Sequence, residues 1–259
     1  MTPATCPGSP RRVRLRLLVA LLVLALVLGG VAAALALASR SGGTAAPAVT
    51  SSASAPTSSV DMAERVAGLE KRFAGGFPQH SIVLTGSSTL GRWSNSKEDL
   101  RPLETYNIGI GGTTVADHVA WVDRMIAPFD PRAVIVYVGA NDINGDADSR
   151  SGAQTAEAVI EYLQRVEEVA PDAELYYVEI AETPARASVS AEVRAANAAI
   201  SAYAETDDHV TFVPTAQALL TSDGGIDPSL FLDDGLHFDD AGYARFSESV
   251  RAVVLPALE

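Results

Sequence analysis

The sequence predicts an α/β fold, a mainly parallel five-stranded sheet with helices on both faces. Three observations predict it. Short apolar, partly β-branched runs alternate with longer stretches of helical periodicity. The connections are short, and Pro128, Pro131 and Pro171 punctuate helix ends. About 200 residues, 60–259, remain for one domain once the N-terminal region is set aside. Strand–helix alternation of this kind builds a parallel sheet by crossover connections. In such sheets ligands bind outside the carboxyl ends of the strands, so the residues that follow each strand carry the chemistry.

The first 59 residues stand apart. Residues 1–16 hold Arg11, Arg12, Arg14 and Arg16 and no acid, the composition of a cytoplasmic basic N-terminus. Leu17 to Ala38 is an unbroken run of 22 Leu, Val, Ala and Gly residues, enough to cross a bilayer. Ala36-Leu37-Ala38 offers a small-x-small cleavage site that would yield a secreted protein, but the apolar core exceeds the ~7–15 residues of a signal peptide. The reading is therefore a single-pass signal-anchor, with the remainder outside the cytoplasm and no other contact with the membrane. Residues 39–59 are Ala, Ser, Thr, Gly and Pro except for Val49 and one charge, Arg40, and are expected to be a flexible linker.

The domain, residues 60–259, opens with apolar residues at helical spacing, Val60, Met62, Val66, Leu69 and Phe73. Strands are expected at Ser81–Thr85, Thr105–Ile108, Ala133–Val138, Leu175–Ile180 and Val210–Val213. Helices are expected near Ser88–Trp93, Val115–Ile126, Ala153–Val169, Val189–Ala204 and Ala241–Leu258. Without the five N-terminal arginines, 14 basic residues face 32 acidic ones, a formal charge of −18. That balance excludes nucleic acid and anionic lipid surfaces as partners. Cys6, the only cysteine, precedes the apolar run, so the domain has no disulfide.

The strand ends carry four short motifs. After the first strand, Gly86-Ser87-Ser88 turns into a helix, where a serine serves as N-cap or as nucleophile. After the second comes Asn107-Ile108-Gly109-Ile110-Gly111-Gly112-Thr113-Thr114, whose glycines let backbone N–H groups approach a ligand. They do not match a dinucleotide fingerprint. After the third comes Gly139-Ala140-Asn141-Asp142, and after the last Asp233-Asp234-Gly235-Leu236-His237. Asp234 and His237 are close enough in sequence for the carboxylate to orient the imidazole. Asp142, Asn144, Asp146 and Asp148 alternate like a calcium loop, but Ala147 and Ala153 stand where its Gly and Glu belong, so no metal is expected. His80 and His118 read as surface or helix-end residues. Trp93 reads as core or site wall. The loop at Glu182-Thr183-Pro184 is expected to border the substrate pocket.

Together these motifs, in this order and over roughly Ser81–Leu255, resemble the four blocks of the SGNH (GDSL-type) hydrolase family. Asn107 to Thr114 is especially similar to the platelet-activating-factor acetylhydrolase branch. The resemblance implies a three-layer, flavodoxin-like α/β/α sandwich and an esterase that needs no cofactor. It assigns Ser88 as nucleophile, His237 as general base and Asp234 as its orienter. The oxyanion hole would be the N–H of Ser88, the N–H of Gly112 and the side-chain amide of Asn141. One departure is that Ser87 stands where the family carries Asp, so Ser88 is chosen between two serines by register alone. The substrate expected is a small acyl, acetyl-like ester on a small molecule or a glycan. Two alternatives stand beside this reading: an O-acyltransferase or deacetylase acting on cell-envelope glycan, and a catalytically idle surface binding module.

Overall fold

The most apolar runs become the innermost strands. The computed structural model describes residues 60–259. In it β1 (Ile82–Gly86) and β3 (Ala133–Tyr137) are buried at every position and lie at the centre of the sheet. The shorter β2 (Thr105–Asn107) and β5 (Val210–Val213) form its edges, and β4 (Glu174–Val178) joins β3 to β5. All pairs are parallel, in the order β2-β1-β3-β4-β5. The chain moves outward from β1 to β2, then returns across β1 to begin β3. The carboxyl ends of β1 and β3, where Gly86 lies opposite Tyr137, are thus the point at which the winding reverses.

Side chains alternate between two cores, as the twofold period of a strand requires. Val83, Val134, Val136, Leu175 and Tyr177 point to one face. That face is covered by α1 (Met62–Arg72), α4 (Val115–Met125), α5 (Gly152–Val169) and α6 (Ser190–Ala204). Ile82, Leu84, Ile135, Tyr137, Tyr176 and Val178 point to the other, which is covered chiefly by α7 (Asp240–Leu258). Two short helices, α2 (Ser88–Gly91) and α3 (Ser96–Asp99), complete that layer through Leu90, Trp93 and Leu100. This is the three-layer α/β/α arrangement expected, with an entirely parallel sheet. Helix starts are capped by local chemistry. Asp61 accepts from the N–H of Glu64, and Ser151 and Gln154 form a reciprocal capping box on α5.

The strand at Val210–Val213 has the bounds expected, the other strand bounds lie within two residues of expectation, and the helix after β1 is shorter. It was expected to reach Trp93 and ends at Gly91. The reason is steric: the backbone of Gly109 packs so closely on Gly91 that a Cβ at Gly109 would stand 2.5 Å from its nitrogen. Beyond Gly91 the chain turns so that Trp93 enters the core. Helix α3 and the 3-10 turns at Ala127–Phe129, Pro184–Val189, Ala216–Leu219 and Pro228–Leu230 were not expected. The predicted anchor, 17–38, and linker, 39–59, lie outside the described residues. Among the described residues no helix is long and apolar enough to cross a membrane.

Candidate active site

The site is assembled at the carboxyl ends of the sheet from four separate segments. The first is the turn after β1. Gly86 has φ 150°, and a Cβ there would sit 1.9 Å from the Tyr137 carbonyl oxygen, so only glycine lets β1 and β3 run this close. The N–H of Ser87 then donates to that carbonyl at 2.9 Å, and Ser87 is buried. Ser88 opens α2. Its N–H is the first of the helix and is consumed by no intrahelical bond.

The second segment carries the hydrogen-bonded pair Asp234 and His237, on a hairpin-like excursion that leads into α7. The N–H of Leu232 donates to the His237 carbonyl at 2.8 Å, and Phe231 bridges to Phe238. Asp234 is used twice in this turn. Its Oδ1 accepts from the N–H groups of Leu236 and His237, each at 2.9 Å, which folds the turn. Its Oδ2 accepts from Nδ1 of the His237 ring at 2.7 Å. A carboxylate can only accept, so Nδ1 carries the proton in that bond. Nε2 is left unprotonated in the neutral ring, and it accepts from the Ser88 hydroxyl at 3.0 Å. The hydrogen bonds from the His237 ring and from the two N–H groups hold the Asp234 carboxyl well below its ordinary range. It therefore stays ionised at neutral pH.

The third segment is the glycine-rich loop between β2 and α4. Asn107 staples it down: its Nδ2 donates to the Leu90 carbonyl at 2.7 Å, and its Oδ1 accepts from the N–H of Gly109 at 2.9 Å. Gly111 packs directly on the turn after β1, where a Cβ would lie 3.5 Å from Cβ of Ser88. Gly112 follows with φ 83°, in the left-handed region. Thr113 closes the loop by donating its hydroxyl to the Ile110 carbonyl at 2.8 Å. Since that hydroxyl is spent as donor, its contact with Nε2 of His118 at 2.9 Å must be a bond donated by the ring.

His118 was expected at the surface or at a helix end; it lies near the start of α4, but the structure corrects the surface reading, since it is 1% exposed. It shares the inward stripe of α4 with Val115, Val122 and Met125. Burial pulls its pKa down to about 4, so the ring is neutral at physiological pH. Helical spacing from Val115 was the available signal for its position.

The fourth segment follows β3. Asn141 donates from Nδ2 to the Thr113 carbonyl at 3.0 Å, and its Oδ1 accepts from Arg186 at 3.2 Å. One Nδ2 hydrogen remains for another acceptor. Asp142 turns inward, with its Oδ2 accepting from the N–H of Val115 at 3.1 Å at the start of α4. Burial, opposed in part by that bond, raises its pKa to about 6.

Ser88, Asn141 and His237 line one small cleft with Tyr137, Thr183 and Arg186. Thr183 was expected there and Arg186 was not. Trp93 lies in the core, edge-on to Phe246, and its indole N–H donates to Asp99 at 2.6 Å. The one-turn length of α2 also means that no long helix dipole is aimed at Ser88.

The chemistry open to this arrangement is attack by an activated hydroxyl on an electrophile held beside N–H donors. A sequence model of the GDSL-like lipase/acylhydrolase family matches residues 78–245. No curated protein matches the chain. Among solved structures, the fold is shared with a GDSL-like lipase from Bacteroides thetaiotaomicron (17% identity, TM-score 0.64, covering 76% of this chain and 100% of that one). It is also shared with a protein assigned as a platelet activating factor from Streptococcus pneumonia (18%, 0.65, 74% and 92%). A carbohydrate esterase family 3 protein from Talaromyces cellulolyticus is similar as well (16%, 0.56, 68% and 97%).

Proposed function

The chain belongs to the GDSL-like lipase/acylhydrolase family, and from that premise we propose that it is a serine esterase that removes small acyl groups through an acyl-enzyme. The observation that carries the proposal is the relay Ser88–His237–Asp234, with 3.0 Å from Oγ to Nε2 and 2.7 Å from Nδ1 to Oδ2. In this reading Nε2 takes the Ser88 proton as Oγ attacks the ester carbonyl, and Asp234 stabilises the imidazolium that forms. The resulting oxyanion is met by N–H donors of Ser88, Gly112 and Asn141, each of a kind worth about 3–4 kcal/mol of barrier. His237 then protonates the departing alcohol, and water repeats the sequence in reverse to free the acid.

The narrow cleft beside Ser88, closed by Tyr137, Ile180 and Ala181, supports a short acyl group. The uninterrupted apolar run Leu17–Ala38 supports a membrane-tethered enzyme whose domain works outside the cytoplasm on a small-molecule or glycan-borne ester.

The test is hydrolysis of p-nitrophenyl acetate by the purified chain, wild type beside Ser88→Ala and Ser87→Ala. Activity lost in Ser88→Ala and kept in Ser87→Ala is the expected result. A folded wild type no faster than Ser88→Ala on short and medium acyl esters would overturn the reading.

A further inference from the structure

We infer that Arg186 is a positioning residue for the oxyanion hole: it locks the Asn141 amide in its donating orientation and ties it to the loop that carries His237. The inference rests on the esterase reading above and goes beyond the residues that reading uses. Arg186 lies 45 residues from Asn141, in the 3-10 turn Pro184–Val189, and its φ of −118° breaks that turn into two. The break brings the guanidinium into the cleft shared by Ser88 and His237. There it donates to the Ala140 carbonyl at 2.6 Å and to Oδ1 of Asn141 at 3.2 Å.

The consequence follows from donor and acceptor counting. A guanidinium has only donors, and the Thr113 carbonyl on the other side of Asn141 can only accept. The amide between them therefore has one satisfied orientation, Oδ1 toward Arg186 and Nδ2 toward Thr113. Turned over, it would set N–H against N–H and oxygen against oxygen. Drawing electron density through Oδ1 also makes the remaining Nδ2 hydrogen a better donor to a developing oxyanion. No carboxylate neutralises Arg186 within ion-pair distance among the described residues, so its charge is available for that polarisation. The same turn reaches the acid–base loop, since the N–H of Ala185 donates to the Gly235 carbonyl at 2.9 Å. One short segment thus braces the donor side of the site against the base side.

The test is a double-mutant cycle on the full chain with p-nitrophenyl acetate: wild type, Arg186→Ala, Asn141→Ala and the double variant, with Ser88→Ala as blank and thermal unfolding recorded for each. Arg186→Ala should lower kcat about 10- to 100-fold with KM within about twofold. Asn141→Ala should lower it about 10²–10³-fold, and adding Arg186→Ala to Asn141→Ala should cost less than about twofold more. Arg186→Gln, which keeps part of the stem and one donor, should fall between wild type and Arg186→Ala. It replaces Arg186→Ala in the cycle if that variant is unfolded at the assay temperature. Losses that multiply in the double variant, or that appear in KM with kcat kept, overturn the inference. If Ser88-dependent activity is present, such a result leaves the esterase reading standing. A wild type no faster than Ser88→Ala overturns both.

Discussion

Asp234 does two jobs with its two oxygens, and a single substitution can separate them. Asp234→Asn keeps an acceptor for the N–H groups of Leu236 and His237, so the turn should form. It removes the charge that faces Nδ1 and lets the ring settle in the wrong tautomer. Unfolding should be unchanged within about 1 kcal/mol, while kcat falls by about 10²–10⁴-fold, a split that paired melting and kinetic measurements would resolve. Two buried groups nearby set opposite pH dependences. The Asp142 pKa is raised from 3.8 to about 6, so the folded state binds the extra proton and this group's contribution to stability declines as pH rises through that window. The His118 pKa is lowered from 6.5 to about 4, so stability is lost as pH falls through its window. Asp142→Asn should therefore gain on wild type from pH 4 to 6 and hold a lead of order 2 kcal/mol above it. His118→Gln should gain as pH falls below about 6.5, and melting temperatures against pH test both. Ser88, Asp234 and His237 were legible because each follows a strand in a short motif. Of the two adjacent serines, Ser88 meets His237 while Ser87 is buried. Arg186 was not legible, because its approach to Asn141 depends on a broken 3-10 turn that leaves no periodic trace.

At the scale of elements, the turn after β1 forms because two strands close without a side chain between them. Gly86→Ala would drive a Cβ to 1.9 Å from a carbonyl oxygen between two fully buried strands. Neither β1 nor β3 can yield, since both are covered on both faces. The variant should fail to reach the native state, or lose more than about 4 kcal/mol, as judged by near-ultraviolet circular dichroism and urea unfolding. Ser88→Ala is the control, expected to fold as wild type. The long elements were legible for the same physical reason that they are stable. Ala133–Tyr137, buried on both faces, leaves an unbroken apolar run, and Gly152–Val169 buries one face and so imprints a helical period on the sequence. One-turn elements imprint none. Helix α3 and the turn Pro228–Leu230 are placed by tertiary contacts of Leu100 and Leu230, and the end of α2 by backbone packing of Gly109 on Gly91.

At the scale of the molecule, among the described residues, the two layers are unequal, four long helices on one face and one on the other. The thin side depends on α7, and on Phe246 within it. Its ring is fully buried and touches Trp93, Tyr137, Phe238 and Tyr243 at centroid separations of 5.3, 6.1, 5.4 and 6.4 Å. Phe246→Ala should cost about 3–5 kcal/mol, read from the shift in urea midpoint at constant slope. Phe238, which directly follows His237, loses a packing neighbour in the same variant, so acyl hydrolysis should decay with temperature before the sheet melts. The relay of the site also spans most of the domain, 149 residues separating Ser88 from His237. On a growing chain, then, the serine is made early and spends most of its synthesis as an ordinary alcohol, with no imidazole to take its proton. On the proposed mechanism, hydrolytic power arrives late, only once translation has passed residue 237. The first turnover of such an enzyme would be a timestamp of completed synthesis, and a message truncated before that point should yield a protein that cleaves no ester.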